Sequence, residues 1–139
     1  MNELKHADAI ITATQVAPAN RLNTLPTFFP KNYMQFENIV YTVMDKICGN
    51  YSGGFWEFYE LSNGGFYMAP NMTEACVISV PFGNGYEGNM SAEAVGITAC
   101  IYAYCFLSET DPAMADHYWR LRDFANNHAE AGEIWRAID

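Results

Sequence analysis

One segment constrains the fold more than any other: Gly53–Pro70, reading GGFWEFYELSNGGFYMAP. Asn63-Gly64 within it is a strong hairpin signal, because a two-residue type I′ turn needs positive φ at both central positions. A loop of those two residues predicts Leu61 beside Phe66, Glu60 beside Tyr67, Tyr59 beside Met68 and Phe58 beside Ala69. Side chains alternate across a sheet. One face would then carry Phe55, Glu57, Tyr59, Leu61, Phe66 and Met68, and the other Trp56, Phe58, Glu60, Tyr67 and Ala69. Both faces are largely aromatic, so helices must cover at least one. The second is either covered too or a recognition patch.

The flanking sequence supplies the cover. Ala9–Val16, with β-branched residues at Ile10, Ile11, Thr12, Thr14 and Val16, reads as a strand. Pro18, Pro26 and Pro30 predict an irregular loop over Ala17–Lys31 that tucks Leu22, Leu25, Phe28 and Phe29 inward. From Asn32 to Cys48, Phe36, Ile39, Val40, Val43, Met44 and Ile47 follow the helical period, and Gly49 supplies a stop. Cys76–Val80 reads as a strand ending at Pro81. After a glycine-rich loop, Ser91 caps a helix with Glu93 in its first turn. Its body, Ala94–Leu107, is apolar on all sides and belongs between layers. Asp111-Pro112 reads as N-cap and first residue of a helix whose apolar stripe is Met114, Tyr118, Leu121, Phe124 and Ala125. A short helix over Gly132–Ile138 ends the chain. Grouped strands followed by segregated helices predict an α+β domain spanning residues 1–139: a small antiparallel sheet (strand, hairpin and following strand) packed with about four helices.

Charge excludes one class of function. Seven Lys and Arg stand against sixteen Asp and Glu, a net charge of -9, and phosphate neutralisation needs a basic face that seven scattered cations do not build. Direct nucleic-acid binding is not expected. Met1–Thr14 lacks an apolar run of signal-peptide length, and Ala94–Ser108 is too short to span a bilayer. The expected setting is therefore cytoplasmic, without membrane contact. Cys48, Cys76, Cys100 and Cys105 show no CxxC spacing and read as reduced, buried thiols.

Catalytic motifs fail one by one. Gly83–Gly88 matches GxGxxG, but helix entry waits until Ser91, Glu87 sits where phosphate would lie, and no second parallel strand follows. Glu57 and Glu60 are three apart in a strand, point to opposite faces and cannot converge on one bond. His6, His117 and His128 share no metal-ligand spacing. No catalytic residue, cofactor or metal is expected. The acids are uneven: six against four bases in residues 1–73, ten against three in residues 74–139. Glu109, Asp116, Asp123 and Glu130 recur every seven residues, roughly one charge per 10 Å of helix, whereas a duplex presents one per about 1.7 Å. Arg120 and Arg122 interrupt the stripe, and Asp116–Arg120 has the spacing of a surface ion pair. The pattern is a solvated face or a docking surface, not a polyphosphate imitation.

Tyr51–Pro70 resembles the signature of the ArdB/KlcA antirestriction family. Thr12–Val16 (TATQV), Leu25-Pro26, Asn38–Asp45 (NIVYTVMD) and Ser91–Thr98 (SAEAVGIT) extend the resemblance over most of the chain, from about Thr12 to Leu107. It implies a protein of plasmids, phages or other mobile elements. Such proteins protect incoming unmodified DNA from type I restriction–modification enzymes, without catalysis and without DNA mimicry. The implied partner is a protein, either the type I enzyme or an accessory host factor, met by a monomer or weak dimer. The candidate partner surface is the hairpin cluster Trp56, Glu60 and Tyr67, with a second at the acidic helical end, Asp111, Asp116, Asp123 and Asp139. Two rivals stand beside it: a small hydrolase assembled around Glu57 and the tyrosines, and a regulatory protein-binding module.

Overall fold

The computed structural model describes residues 10–139; His6 and Ala9, named above, lie outside them. Strands β1 (Ala13–Gln15), β2 (Trp56–Leu61) and β3 (Phe66–Pro70) form an antiparallel sheet in that order. A separate antiparallel pair joins β4 (Cys76–Ser79) to β5 (Glu87–Met90). The helices are α1 (Arg21–Phe28), α2 (Tyr33–Ile47), α3 (Ala92–Leu107), α4 (Pro112–Ala125) and α5 (Ala131–Ile138). The class is α+β, as predicted.

Helix α3 organises the molecule. It packs on β3, α2, α4 and α5, which is why its sequence is apolar all round. It lies along the outer edge of β3, where the backbone has no strand to pair with. Gly96, Cys100 and Tyr104 are four residues apart and so line one helical face. The Met68 N–H donates to Cys100 Sγ at 3.4 Å, and Tyr104 Oη donates to the Phe66 carbonyl at 2.6 Å. Gly96 permits the approach: a Cβ there would stand 2.5 Å from the Met68 carbonyl oxygen. Every residue of β3 is buried as a result. The two predicted caps form, with Ser91 Oγ accepting from Ala94 N and Asp111 Oδ1 accepting from Ala113 N.

The hairpin register departs from the prediction by one residue. Glu60 pairs with Phe66, Tyr59 with Tyr67 and Phe58 with Met68. The loop is Ser62-Asn63-Gly64, since Leu61 N donates to the Gly65 carbonyl. Only Gly64 has positive φ, at 88°, and Asn63 accepts the Gly65 N–H on its side-chain oxygen instead. This is a three-residue loop with a left-handed glycine. A slip of one residue exchanges the faces of the second strand: Tyr67 now shares a face with Glu57 and Tyr59, while Phe66 and Met68 join Trp56, Phe58 and Glu60.

Three further expectations are corrected. The proline-rich stretch contains α1, with Pro26 inside it, and Leu22 is 91% exposed, not tucked inward. The strand at Cys76 pairs with β5, which lies in the predicted glycine-rich loop, and not with the hairpin. Cys105 is exposed, whereas Cys48, Cys76 and Cys100 are buried.

The contact of α3 with β3 makes a direct prediction. Gly96→Ala is expected to lower folding stability by roughly 1–3 kcal/mol through overpacking against rigid backbone, despite the better helix propensity of alanine. Urea denaturation checks it; an unchanged or raised midpoint would contradict the close approach.

Candidate functional site

Between the hairpin and the start of α3 lies an open polar cleft of about 400 Å³. Glu57 and Tyr59 from β2, Gln15 from β1, Asn71 after β3 and Glu93 from α3 line it. Glu57 is fixed on three sides. Its Oε1 accepts from Gln15 Nε2 at 2.9 Å, its Oε2 from Asn71 Nδ2 at 3.1 Å, and Arg21 stands 3.9 Å away. The Arg21 guanidinium also lies 4.3 Å above the rings of Phe55 and Phe58.

Glu93 anchors a second network. Tyr67 Oη donates to its Oε2 at 2.5 Å, and His128 Nε2 stands 3.7 Å from its Oε1. His128 Nδ1 accepts the Glu130 N–H, so the ring proton sits on Nε2, facing the carboxylate. Glu130 in turn accepts from the backbone N–H and hydroxyl of Ser91. The turn between α4 and α5 is thereby clasped to the first turn of α3. Tyr59 stacks on Tyr67 at 4.8 Å, and Tyr67 on Phe124 at 5.6 Å.

These contacts set the protonation states. The facing His128 imidazole holds Glu93 below its ordinary value, outweighing partial burial. The same pairing raises His128. Burial raises Tyr67 first, and its bond to Glu93 adds to that. The tyrosines stay protonated and Glu93 ionised. The general acid of a glycoside hydrolase is a carboxyl held protonated by its surroundings, and Glu93 moves in the opposite direction.

The structure separates the residues proposed from sequence. Trp56 is 3% exposed; its indole donates to Tyr51 Oη at 3.0 Å, and the ring meets Tyr41 edge-on at 5.4 Å. Tyr67 is buried on the opposite face, and of the three only Glu60 is exposed. Two of the three residues of the expected hairpin patch are therefore core: Trp56 under Tyr41 and Tyr51, and Tyr67 turned to the other face by the register. Asp111 caps α4 and accepts from Asn32 Nδ2 at 3.1 Å. Asp116, Asp123 and Asp139 are exposed. Arg120, expected to pair with Asp116, lies over Gly65 of the hairpin turn, and its carbonyl accepts from Asn63 Nδ2. Sequence reasoning missed Trp119, 59% exposed, although its signal was available: it lies three residues after Asp116 and four before Asp123, on their helical face.

The remaining motifs find structural places. Gly83–Gly88 ends the connection from β4 and enters β5 at Glu87, and Asn84 fastens the connection by donating to the Arg136 carbonyl. His117 is buried, stacked on Tyr104, and lowered by burial. Among the described residues, no group of three or more His, Cys, Asp or Glu is placed to hold a metal ion, and no helix is long and apolar enough to cross a membrane.

The Glu93–His128 pair carries a pH signature. His128 is raised from about 6.5, so its share of stability is full below that value and is lost as pH climbs through the raised one. Glu93 is lowered from about 4.5, so its share is full above that value and is lost as pH falls through the lowered one. The stability difference between wild type and His128→Gln, by urea denaturation, is expected to peak between about pH 4.5 and 6.5 and to shrink on both sides. A difference flat with pH would contradict the pairing.

Comparison with known proteins places this architecture. A family model described as "Antirestriction protein" matches residues 49–139. Two Escherichia coli proteins named antirestriction protein KlcA are 43% and 45% identical, the alignments covering 95% and 93% of this chain and 97% and 94% of theirs. A solved structure has a TM-score of 0.83 at 45% identity, covering 93% of this chain and 95% of that one. It comes from a study of the KlcA and ArdB proteins, which describes a novel fold and antirestriction activity against type I DNA restriction systems in vivo but not in vitro. Sequence and fold agree over nearly the whole chain, and this protein belongs to the antirestriction protein family.

Proposed function

We propose that the protein relieves restriction of unmodified DNA by type I restriction–modification enzymes inside the cell, by contact with another protein and without catalysis or DNA mimicry. The observation that carries this reading is the state of its carboxylates. Glu57, Glu93, Glu130, Glu133 and Asp111 are each bound to groups of the chain itself. Asp116 and Asp123 remain on α4, separated by roughly 10 Å of helix, against about 1.7 Å per charge on a duplex.

The contrast reported for KlcA and ArdB supports the same reading. A competitor for the DNA-binding cleft of the enzyme acts wherever enzyme and competitor meet, including in a purified assay. Activity in vivo but not in vitro fits a route through an additional cellular protein. The docking surface we assign is the exposed face of α4, where Trp119 stands between Asp116 and Asp123. A large aromatic ring flanked by charges is the composition of an interface anchor. Asp45, Glu60, Glu74, Glu87, Glu109 and Asp139 are exposed acids beyond this face.

Plating of unmodified phage on restricting and non-restricting hosts tests the proposal. Expression of the wild-type protein is expected to restore plating on the restricting host. An Asp116→Lys/Trp119→Ala/Asp123→Lys variant with a native circular dichroism spectrum is expected to lose at least about tenfold of that recovery, through loss of the aromatic anchor and its flanking charges. Glu60→Lys, a single charge reversal away from α4, serves as a control and is expected to keep it. Full relief by the triple variant would remove the α4 face. Stoichiometric inhibition of the purified enzyme would overturn the indirect route, and no relief by the wild type would overturn the function itself.

A further inference from the structure

Cys48, Cys76 and Met72 come together at a junction that the motifs in sequence do not reveal. Cys48 closes α2 and forms an isolated antiparallel bridge with Ile78 of β4. Cys76 precedes Ile78 by two residues and so leaves the strand on the same face. That face is buried, whereas Val77 and Ser79 point outward. Met72, half-buried in the loop before β4, brings its sulfur to 3.9 Å from Cys76 Sγ. Cys76 thus touches Met72 on one side and Cys48 on the other where α2, β4 and a loop join, and Met72 also lines the far end of the polar cleft.

We propose that these three sulfurs form a site for a soft monovalent cation, with Cu(I) as the ion. Thiolate and thioether donors together select Cu(I) over harder ions. Metal–sulfur bonds of about 2.3 Å place the sulfurs of a three-coordinate ion about 4 Å apart, matching the Met72–Cys76 separation. A structural zinc site takes four N or S ligands, and among the described residues no fourth is placed there: Met90, opposite Cys76 on β5, accepts at its sulfur from the Thr98 hydroxyl at 3.6 Å. Asn50 Oδ1, 3.3 Å from Cys48 Sγ, accepts the thiol proton and orients the group. Met72 is the point of entry, because Cys48 and Cys76 are fully covered. Binding releases to solvent the proton of each thiol that ligates as thiolate.

The test is anaerobic titration of the reduced protein with Cu(I) held by a chromophoric Cu(I) chelator. The protein is expected to withdraw one equivalent, to gain a near-ultraviolet sulfur-to-copper band, and to melt at higher temperature as the ion is added. Met72→Leu, an apolar exchange in a half-buried loop, is expected to weaken binding at least about tenfold. Cys48→Ser and Cys76→Ser are expected to abolish it, and Cys105→Ser, at the exposed thiol, to leave it unchanged. Failure to draw copper from the chelator would overturn the proposal. So would binding that survives Met72→Leu at full strength, or that disappears with Cys105.

Discussion

The outer edge of β3 carries N–H and C=O groups that no strand satisfies, and α3 takes them over with a glycine, a thiol and a phenol spaced one turn apart. An unpaired backbone group cut off from water costs free energy comparable to a lost hydrogen bond, so this contact decides whether the hairpin can be buried at all. It also fixes the axial position of α3. Ser91 and Glu93 then fall beside the hairpin, where Glu93 receives Tyr67 and His128 and Ser91 receives Glu130. The cleft, the tyrosine stack and the clasp on the last helix are all set by where Gly96 allows the helix to lie.

The sequence made the long elements readable because their signals are local. The period of α2, the serine cap of α3 and the Asp-Pro start of α4 each lie within a few residues and survive folding unchanged. The hairpin was readable as a hairpin but not in its register. Asn63 can satisfy a turn with its side chain as well as with positive φ, and packing chose the former. That single choice moved Tyr67 from the company of Trp56 to that of Tyr59, converting an imagined surface patch into core. β5 was hidden for a different reason: Glu87-Gly88-Asn89-Met90 has poor strand propensity, and pairing with β4 overrides it. The network of His128, Glu93, Glu130 and Ser91 joins residues some forty positions apart in two of its bonds, and no local pattern announces such contacts.

Acidity in this molecule is used in two ways. Most of the carboxylates near the hairpin and the last two helices act as internal fasteners, accepting hydrogen bonds from tyrosine, serine, asparagine and backbone groups. The others, Asp45, Glu60, Glu74, Glu87, Glu109, Asp116, Asp123 and Asp139, are exposed, and on α4 they flank an aromatic ring. A net charge of -9 therefore describes the solubility and long-range field of the chain better than the shape of its recognition surface. The same number in a protein with a continuous row of unengaged acids would carry the opposite meaning.

The three-stranded sheet has two outer margins. One is closed by α3, and the other, β1, is only three residues long. Long open margins are what allow separate copies of a polypeptide to add onto each other strand by strand. In this sheet that route to strand-by-strand addition is left with little backbone to start from.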